Sequence, residues 1–229
     1  HKAPCRNRTL ATGGRMSACP ICASPALTPY VTVDSWRIAR CGNCQSFALD
    51  PMPGEAELTA YYTDLYEGAR AGYFAKVDKK MKRARGRMRR LKRFAPGGRF
   101  LDIGCNGGFM VEAAREVGLT AVGIDLDPVS IDYARTHYGS NTFHHGRIED
   151  LANGEAPFDL VYASEVIEHV TDPNGFAAAL FGLTKPGGHA FLTTPDAGHW
   201  SLPRDLRDAR FFMPPEHTLY FTAEGLRGL

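Results

Sequence analysis

Two cysteine pairs, Cys19-x-x-Cys22 and Cys41-x-x-Cys44, stand eighteen residues apart in a chain of 229. Thiolates at this spacing chelate one ion through a tight knuckle, and two knuckles complete a tetrahedron. Four sulfurs leave no open coordination position, so the expected ion is a structural zinc on Cys19, Cys22, Cys41 and Cys44. A segment of about 30 residues cannot bury enough apolar surface to fold unaided, and a metal supplies that stability. The remaining cysteines, Cys5 and Cys105, stand alone. A disulfide framework would spread its cysteines through a small secreted chain, so pairs favour metal over disulfides. The competing reading is a set of unligated core cysteines.

A second constellation is Phe100-Leu-Asp-Ile-Gly-Cys-Asn-Gly-Gly-Phe109. Gly104 and Gly108 permit a tight turn and close approach of a ligand to backbone. Asp102 can face a cationic ligand group. Asp125 follows Asp102 by twenty-three residues and closes the next apolar run. A carboxylate there can accept from both hydroxyls of a ribose. A glycine loop carries weight only between a strand and a helix.

The flanking pattern supplies that context. Short apolar runs at 99–103, 120–124, 141–144, 158–163 and 189–194 read as strands. They alternate with helical patterns at 109–117, 128–138 and 173–183, and Pro128 sits where a helix start tolerates it. This alternation predicts a doubly wound parallel α/β sheet, Rossmann-like in class. Ahead of it, 30–33 and 36–39 suit two short strands within a zinc-ribbon-like unit. Residues 55–70 read as a helix with Leu58, Tyr61, Tyr62, Leu65 and Tyr66 on one face. A longer helix over 73–95 carries the stripe Phe74, Val77, Met81, Ala84, Met88, Leu91 and Ala95, and Pro96-Gly97-Gly98 ends it. After Thr194 comes a Pro-rich irregular segment to 215, of a length that is usually functional. A short strand at 219–222 and a helix from 223 follow.

Within this frame the chain resembles the class I S-adenosylmethionine-dependent methyltransferases, whose first motif reads roughly Asp-x-Gly-x-Gly-x-Gly. Here Asp102-Ile-Gly104-Cys-Asn106-Gly-Gly108 stands in its place. Asn106 replaces the middle glycine, and Asn tolerates left-handed backbone. Gly146-Arg-Ile-Glu-Asp150, Phe158-Asp-Leu-Val-Tyr-Ala-Ser-Glu-Val-Ile-Glu-His-Val170 and Lys185-Pro-Gly-Gly188 continue the resemblance over about 99–194. It implies S-adenosylmethionine contacts at Asp102, Gly104, Cys105, Asn106, Gly108, Asp125, Leu126, Arg147, Ile148, Ser164 and Glu165. Methyltransferases of bacterial sugar and natural-product pathways are similar in carrying an N-terminal four-cysteine unit. A NAD-type Rossmann protein would leave 165–169 and 185–188 without a role, and an inactive methyltransferase fold kept for binding is the blander alternative.

Methyl transfer from a sulfonium is an in-line displacement in which the enzyme aligns the acceptor and removes its proton. His169 lies four residues after Glu165, on an expected helix beyond the fourth strand. His217, in Met213-Pro-Pro-Glu-His-Thr-Leu-Tyr220, is similar to the Glu-His element of zinc-containing sugar methyltransferases. Glu216 can orient His217, and Tyr220 can hold the substrate. His199 beside Trp200 is a third candidate. For each histidine the plain alternative is a packed or hydrogen-bonded imidazole.

The boundaries expected are a tag or loose extension at 1–15, the zinc module at 16–50, a helical cap and linker at 51–96, and the methyltransferase domain at 97–229. The family's sheet ends with two further strands, which the chain has no room to complete. Net charge is +2, yet residues 70–99 hold 13 of the 27 basic residues and one of the 25 acidic ones. The basic helix reads as a solvated cover on the domain. The alternative is an RNA-gripping face, for which aromatic residues among the charges are lacking. No run reaches the length of a membrane span and no secretory signal is legible, so a cytoplasmic enzyme is expected. Its partner is a small-molecule acceptor, a sugar or polyketide-type metabolite methylated at oxygen or carbon. An RNA methyltransferase and a non-catalytic zinc binding module are the other readings. Sequence does not fix the oligomeric state.

Overall fold

A computed structural model describes residues 16–54, 56–58, 61, 76–152, 154–203 and 205–229. Along these the elements are β1 (Leu27–Val33), β2 (Trp36–Cys41), β3 (Phe47–Leu49), α1 (Val77–Leu91), β4 (Arg99–Ile103), α2 (Phe109–Glu116), β5 (Thr120–Asp125), α3 (Pro128–His137), β6 (Thr142–His145), α4 (Ile148–Ala152), β7 (Phe158–Ser164), α5 (Pro173–Gly182), β8 (Thr184–Thr193), β9 (Leu219–Tyr220) and α6 (Ala223–Arg227). Most of the helix expected at 55–70, with Tyr62, Leu65 and Tyr66, lies outside the described residues, as does Phe74. No described helix is long and apolar enough to cross a membrane.

Contacts divide the chain into two compact units. The first joins the N-terminal stretch to Glu168–Asn174 and Pro195–Leu229. The second holds the basic helix, the chain from there to Ile167, and Gly175–Thr194. This grouping cuts across the boundaries expected at 50/51 and 96/97. The C-terminal segment packs with the cysteines, and the basic helix with the parallel sheet.

In the second unit five parallel strands run in the order β6-β5-β4-β7-β8, with flanking helices. β4 is central, and the chain leaves it to β5 on one side and reaches β7 on the other. That reversal opens a crevice at the carboxyl ends of β4 and β7. The stripe of α1 does what its spacing predicts: Met81, Ala84, Met88 and Leu91 are buried against Phe100, Val111, Ile131 and Tyr162. Outside the stripe, Arg85 forms a bidentate pair with Glu116 of α2 at 2.7 Å.

The first unit is an antiparallel sheet in the order β1-β2-β3-β9. β9 pairs with β3 through Phe47 with Tyr220 and Ala48 with Leu219. Its core gathers Ile38, Phe47, Leu49 and Tyr220 with Leu206, Ala209 and Phe212 from the Pro-rich segment. The segment that sequence marks as irregular is therefore core-forming here. Thr222 caps α6 by accepting from the Gly225 amide at 3.1 Å, and its hydroxyl donates to the Cys44 carbonyl at 2.7 Å.

Candidate functional site

The glycine-rich turn of the second unit grows from β4. Its backbone enters the left-handed region at Gly104 (φ 69°), Asn106 (φ 50°) and Gly108 (φ 79°). Asn106 thus holds the conformation its place in the motif requires, and its side-chain carbonyl accepts from the Gly107 amide at 2.6 Å. A Cβ on Gly104 would stand 2.6 Å from a Val166 methyl, and one on Gly108 2.8 Å from the Phe143 ring. Packing against Val166 and Phe143, together with the left-handed backbone, thus requires glycine at both positions. The loop hydrogen-bonds to the neighbouring strand: the amides of Gly104 and Cys105 donate to the Ile124 carbonyl at 2.9 and 3.0 Å.

Asp125 joins the two strand ends. One oxygen accepts from the Asn106 amide at 2.7 Å, the other from the Asp127 amide at 2.9 Å. Asp127 in turn caps α3, accepting from Val129 and Ser130 amides at 3.1 Å each. Burial raises the Asp125 carboxyl above the usual carboxylate range, against the lowering by these amides. Asp102 is 3% exposed. Burial pushes its carboxyl well up, the Asp125 charge adds to that, and the Arg87 charge opposes it. Two raised carboxyls, Asp102 buried and Asp125 half-buried, at the ends of neighbouring strands favour a cationic ligand.

The other residues expected at the cofactor fall around this edge. Leu126 is 66% exposed, a large apolar side chain held in solvent next to Asp125. Ile148 is buried at the start of α4. Arg147 reaches Glu149 at 3.3 Å. Ser164, ending β7, bonds Thr193 at 2.7 Å, and Thr193 donates to Glu165 at 3.1 Å. Glu165 carries φ 57°, a left-handed non-glycine residue after the strand. Cys105 is buried, and its thiol is pushed well above its ordinary range by burial and by Asp102.

Sequence reasoning missed Arg87. From α1 it donates to the Tyr162 hydroxyl and lies 3.4 Å from Ser164 Oγ. The signal was Tyr162 itself, since a tyrosine buried in a central strand needs a partner for its hydroxyl.

In the first unit the four cysteines converge. Cys19 and Cys44 sulfurs lie 3.8 Å apart, Cys22 and Cys41 sulfurs 3.6 Å. A disulfide needs about 2.05 Å. A tetrahedron with metal–sulfur bonds of about 2.3 Å has edges of about 3.8 Å, so the spacing fits an ion. Each knuckle closes alike, with the amides of Ala23 and Gln45 donating to the Cys19 and Cys41 carbonyls at 2.9 and 3.0 Å. Ala23 (φ 58°) and Gln45 (φ 61°) both turn left-handed. Against desolvation, hydrogen bonds from the Ser24 backbone, Asn43 and the neighbouring cysteines together lower the Cys22 thiol to about 6, while burial raises Cys19 and Cys44.

The histidine candidates separate. His169 and His217 meet in the first unit, rings perpendicular and centroids 4.6 Å apart. His169 lies on a single 3-10 turn, Ile167–His169, where a longer helix was expected. Its Nδ1 donates to the Glu216 carbonyl at 2.8 Å, so this contact comes from backbone of the residue expected to orient His217. His217 is 6% exposed, and burial pushes it down to about 4. Burial lowers His169 and raises Glu216 as well. Tyr220 stacks on Phe212 with centroids 4.7 Å apart. His199 is exposed and bonds Ser201 at 2.8 Å.

The strand order, the crevice at its reversal and the acid ending β5 define the class I methyltransferase arrangement. Residues 73–229, over half of the chain, match a family model described as a methyltransferase domain, and the chain belongs to that family. A ubiquinone biosynthesis O-methyltransferase from Aromatoleum aromaticum is 33% identical over 150 residues, covering 57% of this chain and 64% of the relative. One from Xanthomonas campestris pv. campestris is 41% identical over 105 residues, covering 43% and 44%. The chain spans less than two thirds of the length of either. A crystal structure of a SAM-dependent methyltransferase from Archaeoglobus fulgidus shares the fold, with a TM-score of 0.52 at 22% identity over 73% of this chain and 71% of that one.

Proposed function

We propose that the protein binds S-adenosylmethionine at the carboxyl edge of the parallel sheet and transfers its methyl group to a small-molecule acceptor. The observation that carries this reading is Asp125, raised by burial and bonded to the amide of left-handed Asn106. A ribose diol would take up the lone pairs that Asp125 keeps beyond its two amide bonds. Asp102 would meet the ammonium or sulfonium charge, and exposed Leu126 would cover one face of the adenine. Gly104 and Gly108 admit the ligand to backbone, and Arg147, Ile148, Ser164 and Glu165 border the same edge. The bound cofactor supplies an activated methyl group, so the protein's task is to orient the acceptor and take its proton.

On the acceptor side we assign His169, His217, Glu216 and Tyr220, which share one cluster in the first unit. Oxygen is the atom methylated, a choice supported by the O-methyltransferase relatives. The cysteine tetrahedron holds structural zinc, a reading supported by its sulfur spacing. Packing favours the small-molecule reading over RNA: Arg85 is tied to Glu116, Arg87 to Tyr162, and Lys80 lies over the Phe109 ring at 5.3 Å. Calorimetry with S-adenosylhomocysteine tests the cofactor site. Tight binding that Asp125→Ala weakens at least tenfold is expected, and no binding by the intact chain would overturn the reading.

A further inference from the structure

The first unit holds a second group of ligand-type side chains, remote in sequence from the cysteine pairs. Glu168, His169 and His217 offer ligand atoms that all lie within 4.8 Å of one another. Glu168 and His217 are buried, at 1% and 6% exposure. The two segments that carry them are fixed by backbone. The Thr218 amide and hydroxyl both donate to the Glu168 carbonyl, at 2.9 and 3.1 Å, and the hydroxyl reaches the Val170 carbonyl at 2.7 Å. His169 gives its Nδ1 proton to the Glu216 carbonyl at 2.8 Å, which leaves Nε2 as the lone-pair nitrogen. Metal-binding imidazoles are oriented in this way, one nitrogen held by a carbonyl and the other donating to the ion. His217 Nδ1 is buried with no hydrogen-bond partner among the described residues, a state that native interiors rarely leave uncompensated.

We propose that Glu168, His169 and His217 bind one divalent transition-metal cation, distinct from the ion of the four cysteines. Two imidazoles with one carboxylate suit zinc or a neighbouring metal rather than magnesium or calcium, which prefer all-oxygen shells. Metal–ligand bonds of about 2.1 Å set tetrahedral edges at about 3.4 Å. The set is open by at most roughly 1.4 Å relative to that figure, which side-chain rotation can close. Three protein ligands leave a coordination position for water or an acceptor oxygen, in contrast to the closed sulfur tetrahedron. The site itself rests on these contacts alone and not on methyl transfer.

Native mass spectrometry of the zinc-loaded chain counts the ions directly. Two zinc ions per chain are expected, falling to one in Glu168→Gln and in His217→Ala, with hydrogen-exchange protection over 27–49 and 219–222 measured alongside as the fold control of the first unit. Should His217→Ala fail that control, the half-buried His169→Gln serves in its place. Cobalt loading separates the two sites. The second equivalent should absorb weakly and lack the thiolate charge-transfer band of the first. One ion in the intact chain, two ions in the variants, or a thiolate band on both equivalents would overturn the proposal. These readouts hold whether or not the chain transfers a methyl group.

Discussion

The two units assemble their chemistry in opposite ways. In the second, Asp102, Gly104, Asn106, Gly108 and Asp125 lie within one strand–turn–helix–strand stretch, and their contacts are made between neighbouring strands. In the first, the cysteine pairs, the 168–174 segment and the C-terminal residues come from three distant parts of the chain. Local chemistry of the first kind needs only turn geometry and strand pairing. The second kind needs long-range pairing such as Phe47 with Tyr220, and the zinc proposed above would hold what a small core cannot.

The largest expected effect sharpens that contrast. Removing zinc with a chelator, or replacing Cys41 by Ser, should release stabilisation on the order of 10 kcal/mol from the first unit. Hydrogen exchange should then show protection lost over 27–49 and 219–222 while β4, β5 and β7 keep theirs. Equal loss in both sheets would break the comparison. Gly225→Ala probes the same unit more gently. Its Cβ would stand 2.1 Å from Ser46 Oγ, which accepts from the Thr222 amide at 3.0 Å. A cost of about 1–3 kcal/mol is expected, read as a lowered melting temperature.

Asp102→Asn tests the second unit with the opposite sign. The folded carboxyl titrates well above its unfolded value, so the stability linked to it is complete in acid and is lost as pH rises through the folded pKa. Asn cannot ionise. At neutral pH the variant should therefore be more stable by about 1–3 kcal/mol while binding the cofactor more weakly. The gain should shrink as pH falls toward 4. A stability difference from the parent that does not change with pH would argue against a raised pKa at buried Asp102. The smallest effect is expected at Arg85→Ala, a barely lowered melting temperature, because its pair with Glu116 is solvated.

How much of this was legible follows the same divide. The motif of 102–108 announces its turn, including the left-handed Asn106, because the spacing of Gly and Asn encodes backbone angles directly. The cysteine spacing announces the tetrahedron for the same reason. The stripe of α1 reads correctly because one face of a helix must be buried. By contrast β3 is three residues long and has no periodicity to read, and its pairing with β9 joins residues about 170 positions apart, a distance local patterns do not span. The 3-10 turn at Ile167–His169 and the five residues of α4 are likewise too short to show a period. β8 is joined to β7 as early as Thr184, but Lys185–Gly188 stays unpaired and Gly187 is left-handed (φ 78°), so the Pro-Gly-Gly turns as its residues suggest and regular pairing starts at His189, where the strand is expected. Arg87 looks like one more charge on a basic face, and only the burial of Tyr162 singles it out.

The central claim is that one carboxylate at the end of β5 holds an adenosyl ligand beside a left-handed asparagine. Isothermal titration of the intact chain and of Asp125→Ala with S-adenosylhomocysteine measures it most directly. Saturable one-to-one binding by the first is expected, with a loss of at least tenfold in affinity for the second, a difference of about 1.4 kcal/mol or more. Equal affinities in the two proteins would contradict it.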